Sequence, residues 1–117
     1  MKKLISFLSV FFLVGYIISA QVPQKISYQA VIRNSSNALV ASQAVKMRIT
    51  ILKGSATGTE VYVETHNPTT NANGIVTIEI GGGTVVSGVF ANIDWATGAT
   101  FVKTETDPAG GTNYTLT

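Results

Sequence analysis

Apolar and polar residues alternate with a period of two along the extended runs of this chain, and no amphipathic run of useful length shows the 3.6-residue spacing of a helix. The segment Ile75-Val76-Thr77-Ile78-Glu79-Ile80 sets Val76, Ile78 and Ile80 on one side and Ile75, Thr77 and Glu79 on the other. A strand with one buried face reads this way, because successive side chains leave a pleated backbone in opposite directions. Asn73-Gly74 before it tolerates positive φ and marks a turn. Gly81-Gly82-Gly83 after it lacks the Cβ atoms that favour regular structure and ends the strand. Beyond Ser87-Gly88 comes Val89–Trp95, with the large apolar groups Phe90, Ile93 and Trp95. A small chain must bury such groups, so this stretch is predicted to plug one end of the core.

The same alternation recurs along the chain. Lys25–Arg33 sets Ile26, Tyr28, Ala30 and Ile32 against Ser27, Gln29, Val31 and Arg33. Val45–Lys53 is the clearest strand, with Val45, Met47, Ile49 and Ile51 facing the core. Lys46, Arg48 and Thr50 face solvent, where basic groups discourage edge-to-edge pairing. In Glu60–His66, Val61 and Val63 are predicted inward and Glu60, Tyr62 and Glu64 outward. Thr100–Thr106 is a further strand and Asn113–Thr117 begins another, while Ala38–Ala44 fits either a short edge strand or a loop. Turn formers separate these runs: Asn34–Asn37, Gly54–Gly58, Asn67–Gly74, and Asp107-Pro108-Ala109-Gly110-Gly111. Six to seven short strands spaced in this way predict an all-β, immunoglobulin-like β-sandwich. Ala56-Thr57-Gly58 and Ala96-Thr97-Gly98 each precede a strand, an echo that two turn-then-strand units produce without duplication.

The first 20 residues read as a signal peptide. Lys2-Lys3 is a positive start, Leu4–Ile18 an apolar run of 15 residues, and Ser19-Ala20 a small-residue site before Gln21. A membrane span needs about 20 apolar residues, so cleavage is expected rather than anchoring, and the membrane is met only during export. The absence of cysteine excludes a lipid-anchored terminus, disulfide staples, a thiolate metal site and a cysteine nucleophile. Residues 21–117 then form one domain. Its six basic residues balance its six acidic ones, so it lacks the positive field that nucleic acid or an anionic membrane surface requires.

Candidate chemistry is sparse. His66 is the sole histidine, without the partners of a zinc site or a catalytic triad, and reads as a surface residue. Glu60 with Glu64 and Glu105 with Asp107 resemble paired carboxylates but equally suit a wet strand face. Asp94, Glu105 and Asp107 offer hard oxygens for calcium, without the Asp-x-Asp-x-Asp spacing. Gly81-Gly82-Gly83 lacks the Gly-Lys-Ser/Thr ending of a phosphate loop. Trp95 is expected in the core, and Tyr62 is expected to be the best exposed aromatic. Tyr62 and Trp95 are therefore the candidate ligand contacts, on which sugar rings would stack. No catalytic residue, metal or cofactor is expected.

Three runs together, Tyr28-Gln29-Ala30-Val31-Ile32-Arg33, Gly83-Thr84-Val85-Val86-Ser87-Gly88 with Phe90 and Ile93-Asp94-Trp95, and Asp107-Pro108 with Gly110-Gly111-Thr112-Asn113-Tyr114, resemble the N-terminal β-domain of secreted surface proteins of Bacteroidetes-type bacteria. In that family the module follows the signal peptide and precedes collagen-like, tail-fibre-like or other adhesive modules. The resemblance implies a non-enzymatic exported module of structural or adhesive role, outside the cell, at its surface or in the periplasm. Its partners would be other modules of the same protein, glycans or further copies. It also implies a body longer than this one, since family members continue past the Asn-Tyr-Thr run into another strand. An incomplete C-terminus with an unpaired sheet edge is the expectation. A carbohydrate-binding module is the alternative, and a secreted hydrolase the third reading.

Overall fold

A computed structural model describes residues 25–116; the predicted signal peptide and the final residue lie outside them. The described residues form six strands: β1 (Ile26–Val31), β2 (Lys46–Lys53), β3 (Thr59–His66), β4 (Ile75–Ile80), β5 (Thr84–Ser87) and β6 (Thr100–Asp107). Their one helical element is the 3-10 turn Phe90–Asn92. The strands make two antiparallel sheets, β1-β4 and β5-β3-β2-β6. Side chains from both sheets meet in one core of Ile32, Val76, Ile78 and Ile80 from the first and Met47, Ile49, Ile51 and Tyr62 from the second. This is the all-β, two-sheet architecture expected of a β-sandwich. Among the described residues no helix is long and apolar enough to cross a membrane.

β2 is central because it satisfies both neighbours. Its alternation buries Val45 beside it and Met47, Ile49 and Ile51 within it, as expected. It pairs with β3 on one side and β6 on the other, Lys53 lying opposite both Thr59 and Thr100. The two Ala-Thr-Gly echoes are thus two turns that return the chain to opposite edges of one strand. The other face of β2 is drier than expected, with Thr50 and Leu52 buried. Arg48 covers part of it, paired to Glu105 through two 3.0 Å hydrogen bonds and lying 4.4 Å from the centre of the Tyr114 ring.

β3 runs opposite to expectation. Ile51 faces Tyr62, Ile49 faces Glu64 and Met47 faces His66. Directly opposed residues share a sheet face, so Tyr62, Glu64 and His66 lie on the core face and Val63 on the other, while Val61, the extra residue at the bulge, packs partly buried against the core. Tyr62 and Glu64 are both fully buried. The alternation Val61-Tyr62-Val63 is apolar on both faces and fits either register. The larger ring wins the interior, and a bulge between Ile51 and Leu52 absorbs the extra residue.

Two further segments depart from the sequence reading, and Ala38–Ala44, which the sequence leaves as edge strand or loop, is a loop with isolated bridges. Thr84–Ser87 is a strand, β5, on an edge of the larger sheet. Asn113–Leu116 contributes one bridge, Thr106 to Leu116, and Ala38–Ala44 carries two single bridges, Arg33–Leu39 and Ala44–Thr69. The predicted plug forms, but its outermost ring stays wet. Phe90 packs edge-on against Tyr62 at 5.2 Å and against Trp95 at 5.7 Å. Phe90 and Ile93 are partly buried against the core while Trp95 remains 44% exposed.

An Ile49→Asp variant should lose its cooperative thermal transition, because it places an unpaired charge at a fully buried site. Urea titrations should show Tyr62→Ala destabilising by about 3–5 kcal/mol, well beyond Val61→Ala. The reverse order would restore the register with Val61 and Val63 inward.

Candidate functional site

The chain crosses from the smaller sheet to the larger between β4 and β5, and Gly81-Gly82-Gly83 makes the crossing. Gly81 has φ +100°, which side-chain-bearing residues rarely adopt. Gly83 approaches β3 so closely that a Cβ would lie 2.6 Å from the Thr65 carbonyl oxygen and 2.7 Å from Glu64 Oε2. A crossing turn leaves backbone N–H groups without a ladder partner. Glu64 supplies the acceptor: Gly81 N–H donates to Oε1 at 2.8 Å and Gly83 N–H to Oε2 at 3.2 Å. His66 Nε2 also contacts Oε2. The buried carboxylate thereby gains the charge-assisted bonds that an interior anion requires.

Tyr62, Glu64 and His66 form a row down the core face of β3. The Tyr62 hydroxyl is buried without a hydrogen-bond partner. Burial first, and the neighbouring Glu64 carboxylate next, hold its phenol well above the usual tyrosine range. Tyr62 is therefore corrected as an exposed aromatic: its ring is in the core, between the sheet and Phe90, and is shut off from any sugar. His66 is likewise no ordinary surface residue. Its ring points inward to Glu64, with one edge on a shallow polar depression of about 340 Å³ beside Lys25, Asn67 and Glu79. Among the described residues the ring's hydrogen-bond contact is with Glu64. As placed, it ties the crossing turn to the sheet.

The remaining carboxylates are dispersed. Asp94 accepts from the N–H groups of Ala96 and Thr97. Its loop is held by Lys53 Nζ, which donates to the carbonyls of Asp94 and Thr97 and to Thr100 Oγ1. Asp107 closes the turn at the far end of β6, accepting from Ala109 and Asn113. Seven residues of extended chain between Thr100 and Asp107 span about 23 Å. Asp94 and Asp107 therefore cannot share the calcium ion considered for them with Glu105. Among the described residues no group of three or more His, Asp or Glu side chains could hold a metal.

Trp95 is the candidate ligand contact that does reach solvent. Its chain neighbour Asp94 lines a cleft of about 250 Å³ with Lys53, Val61, Val89, Asn92 and Ile93. A second groove, of about 370 Å³, runs between β1 and β6. Tyr28, Val31 and Arg33 form one wall, Thr104 and Thr106 the other, and Leu116 lies along it. Neither the Glu64 tie nor this groove was foreseen. The triple glycine signals that some nearby acceptor must hold its amides, whereas the groove has no sequence signal because it depends on how the two sheets meet.

These features define an all-β domain of two antiparallel sheets, with a His–carboxylate pair locked inside it and an open seam at one side. The chain belongs to the family described as a domain of unknown function (DUF8740), whose model matches residues 27–117. No curated protein and no solved structure matches it.

Glu64→Ala should destabilise the fold by about 3 kcal/mol, since each orphaned buried N–H costs about 1–3 kcal/mol, and Gly83→Ala should also destabilise it; equilibrium denaturation measures both. Acid should do so too. Arg48 lowers the Glu105 carboxyl, the Ala109 N–H lowers Asp107, and a hydrogen bond with the Thr97 side chain lowers Asp94. Folded values below the unfolded ones, about 3.9 for Asp and 4.3 for Glu, stabilise fully above those unfolded values and lose that contribution as pH falls through the folded ones. The thermal midpoint should therefore drop below about pH 4, and Arg48→Met should flatten part of the drop.

Proposed function

We propose that this chain is a non-enzymatic, exported module with a structural or adhesive role in a bacterial surface or secreted protein. The observation that carries this reading is the allocation of its reactive groups. The sole histidine and Glu64 hold the turn between sheets, Glu105 holds Arg48, and Asp94 and Asp107 cap turns. Each serves the scaffold. The export half of the reading rests on Lys2-Lys3, the apolar run Leu4–Ile18 and the small residues before Gln21.

One observation favours carbohydrate binding as a second reading. The exposed Trp95 follows Asp94, which lines a cleft together with Lys53 and Asn92, and sugar-binding sites combine an aromatic platform with a few polar groups. The internal bonds of Lys53 and Asp94 weigh against it, because those groups already hold the loop.

Fractionation of producing cells with intact-mass analysis tests the first reading. The expected product is outside the cytoplasm and begins at Gln21; a cytoplasmic product that retains Met1 overturns it. Trp95 fluorescence tests the second. Glycan-dependent quenching that is lost in Trp95→Ala would establish sugar binding. An unresponsive spectrum across a glycan panel favours the structural module. Trp95→Ala should shift the thermal midpoint little, since the ring is half wet.

A further inference from the structure

Nε2 of His66 is committed to the Glu64 carboxylate, and that bond is the ring's hydrogen-bond contact among the described residues. A carboxylate only accepts, so Nε2 carries the proton, and in the neutral ring Nδ1 presents a lone pair. Among the described residues Tyr62 Oη is the buried side-chain polar atom that lacks a partner. Nδ1 lacks one as well, so it is not sealed in the core. The His66 side chain keeps 12% of its surface exposed, and the ring borders the polar depression of about 340 Å³ beside β4. One face of the ring is thus dry and held by Glu64, and the other is wet and carries an unused lone pair.

The same depression holds a carboxylate. Glu79 lines it, with Lys25, Asn67 and Thr77. Lys25 Nζ lies 3.5 Å from Glu79 Oε2, but the two side chains are 59% and 60% exposed, so this ion pair is weak and yields readily. A Cβ on Gly82 would lie 3.6 Å from Lys25 Cε, which places the lysine over the crossing turn, at the rim. Glu64 is fully buried. A carboxylate that accepts from one ring nitrogen fixes the tautomer, orients the ring and makes the other nitrogen a better donor of its lone pair; this is the support found behind histidine ligands of metals. The tie to the crossing turn uses Nε2 alone and leaves Nδ1 without a role.

We propose that His66 Nδ1 and the Glu79 carboxylate bind a first-row divalent transition ion in this depression, copper(II) more tightly than zinc(II), with Lys25 displaced and water completing the coordination. One imidazole and one carboxylate make a mixed nitrogen and oxygen set, which suits copper(II), and copper(II) stands above zinc(II) in affinity for such donors. Two protein ligands make an open, exchangeable site, unlike the closed four-ligand sites of structural zinc. Glu64 is a positioning residue here, acting through the ring. The assignment goes beyond the structural-module reading and does not depend on it.

The test titrates the exported chain, labelled with 15N, with zinc sulfate and separately with copper sulfate. His66 is the sole histidine, so the ring signals belong to one residue, and couplings to the two ring C–H groups tell its nitrogens apart. Zinc should shift Nδ1 while Nε2 keeps its proton, and the copper resonance should show splitting from one imidazole nitrogen that His66→Gln removes. Competition with a coloured chelator gives the affinities. Glu64→Gln should weaken binding about 10–100-fold, as loss of a supporting carboxylate does. Glu79→Gln should weaken it severalfold and Lys25→Met should tighten it, both with little change in thermal midpoint because these side chains are exposed. The two surface variants keep the test decisive if Glu64→Gln fails to fold. Coordination through Nε2, no shift at either nitrogen, an affinity that Glu79→Gln leaves unchanged, or no gain in Lys25→Met overturns the proposal. None of these outcomes bears on export, so the two readings fail separately.

Discussion

A single buried carboxylate joins the two sheets. Glu64 projects from β3 into the interior and accepts from two amides of the turn that carries the chain from β4 to β5. Without it the crossing would leave two half-buried N–H groups with no protein acceptor. Burial of an anion is unfavourable unless its lone pairs are satisfied, and here glycine is what permits satisfaction. At Gly83 a side chain would occupy the space that the carboxylate and the Thr65 carbonyl need. Carboxylate and triple glycine are therefore one device, seen from two strands.

The register of β3 follows from the same device. Once Glu64 points inward, Tyr62 and His66 must do so as well, because alternation is rigid over two residues. Tyr62 then fills the centre of the core and presents its ring to Phe90, which in turn meets Trp95. The aromatic chain from core to surface explains why the loop after β5 closes with a short 3-10 turn rather than running free. It also explains the half-exposed indole, which is the outermost of three rings packed edge to face.

The seam between β1 and β6 has a different origin. Among the described residues each strand has one neighbour in its sheet, and the other edges of the two strands lie on either side of a groove lined in part by the core residues Ile32 and Met47. Closure of a sandwich depends on edges being covered, shortened or charged. Arg33 alone supplies charge on this lining, and Leu116 supplies one bridge.

Alternation by itself determined much. It gave the strands at Lys46–Lys53, Ile75–Ile80 and Thr100–Asp107 to within a residue, and the inward set Met47, Ile49, Ile51, Val76, Ile78 and Ile80, because apolar groups at every second position have one low-energy arrangement. Where both faces of a strand are apolar, as at Val61-Tyr62-Val63, the pattern carries no preference, and only packing against β2 and Phe90 decided the direction. The four residues Thr84–Ser87 are too few to read as a strand without their partner β3. The pairing of His66 with Glu64, the separation of Asp94 from Asp107, and the groove between β1 and β6 all depend on strand order. Strand order is set by long-range contacts between the two sheets, and local sequence carries no record of it.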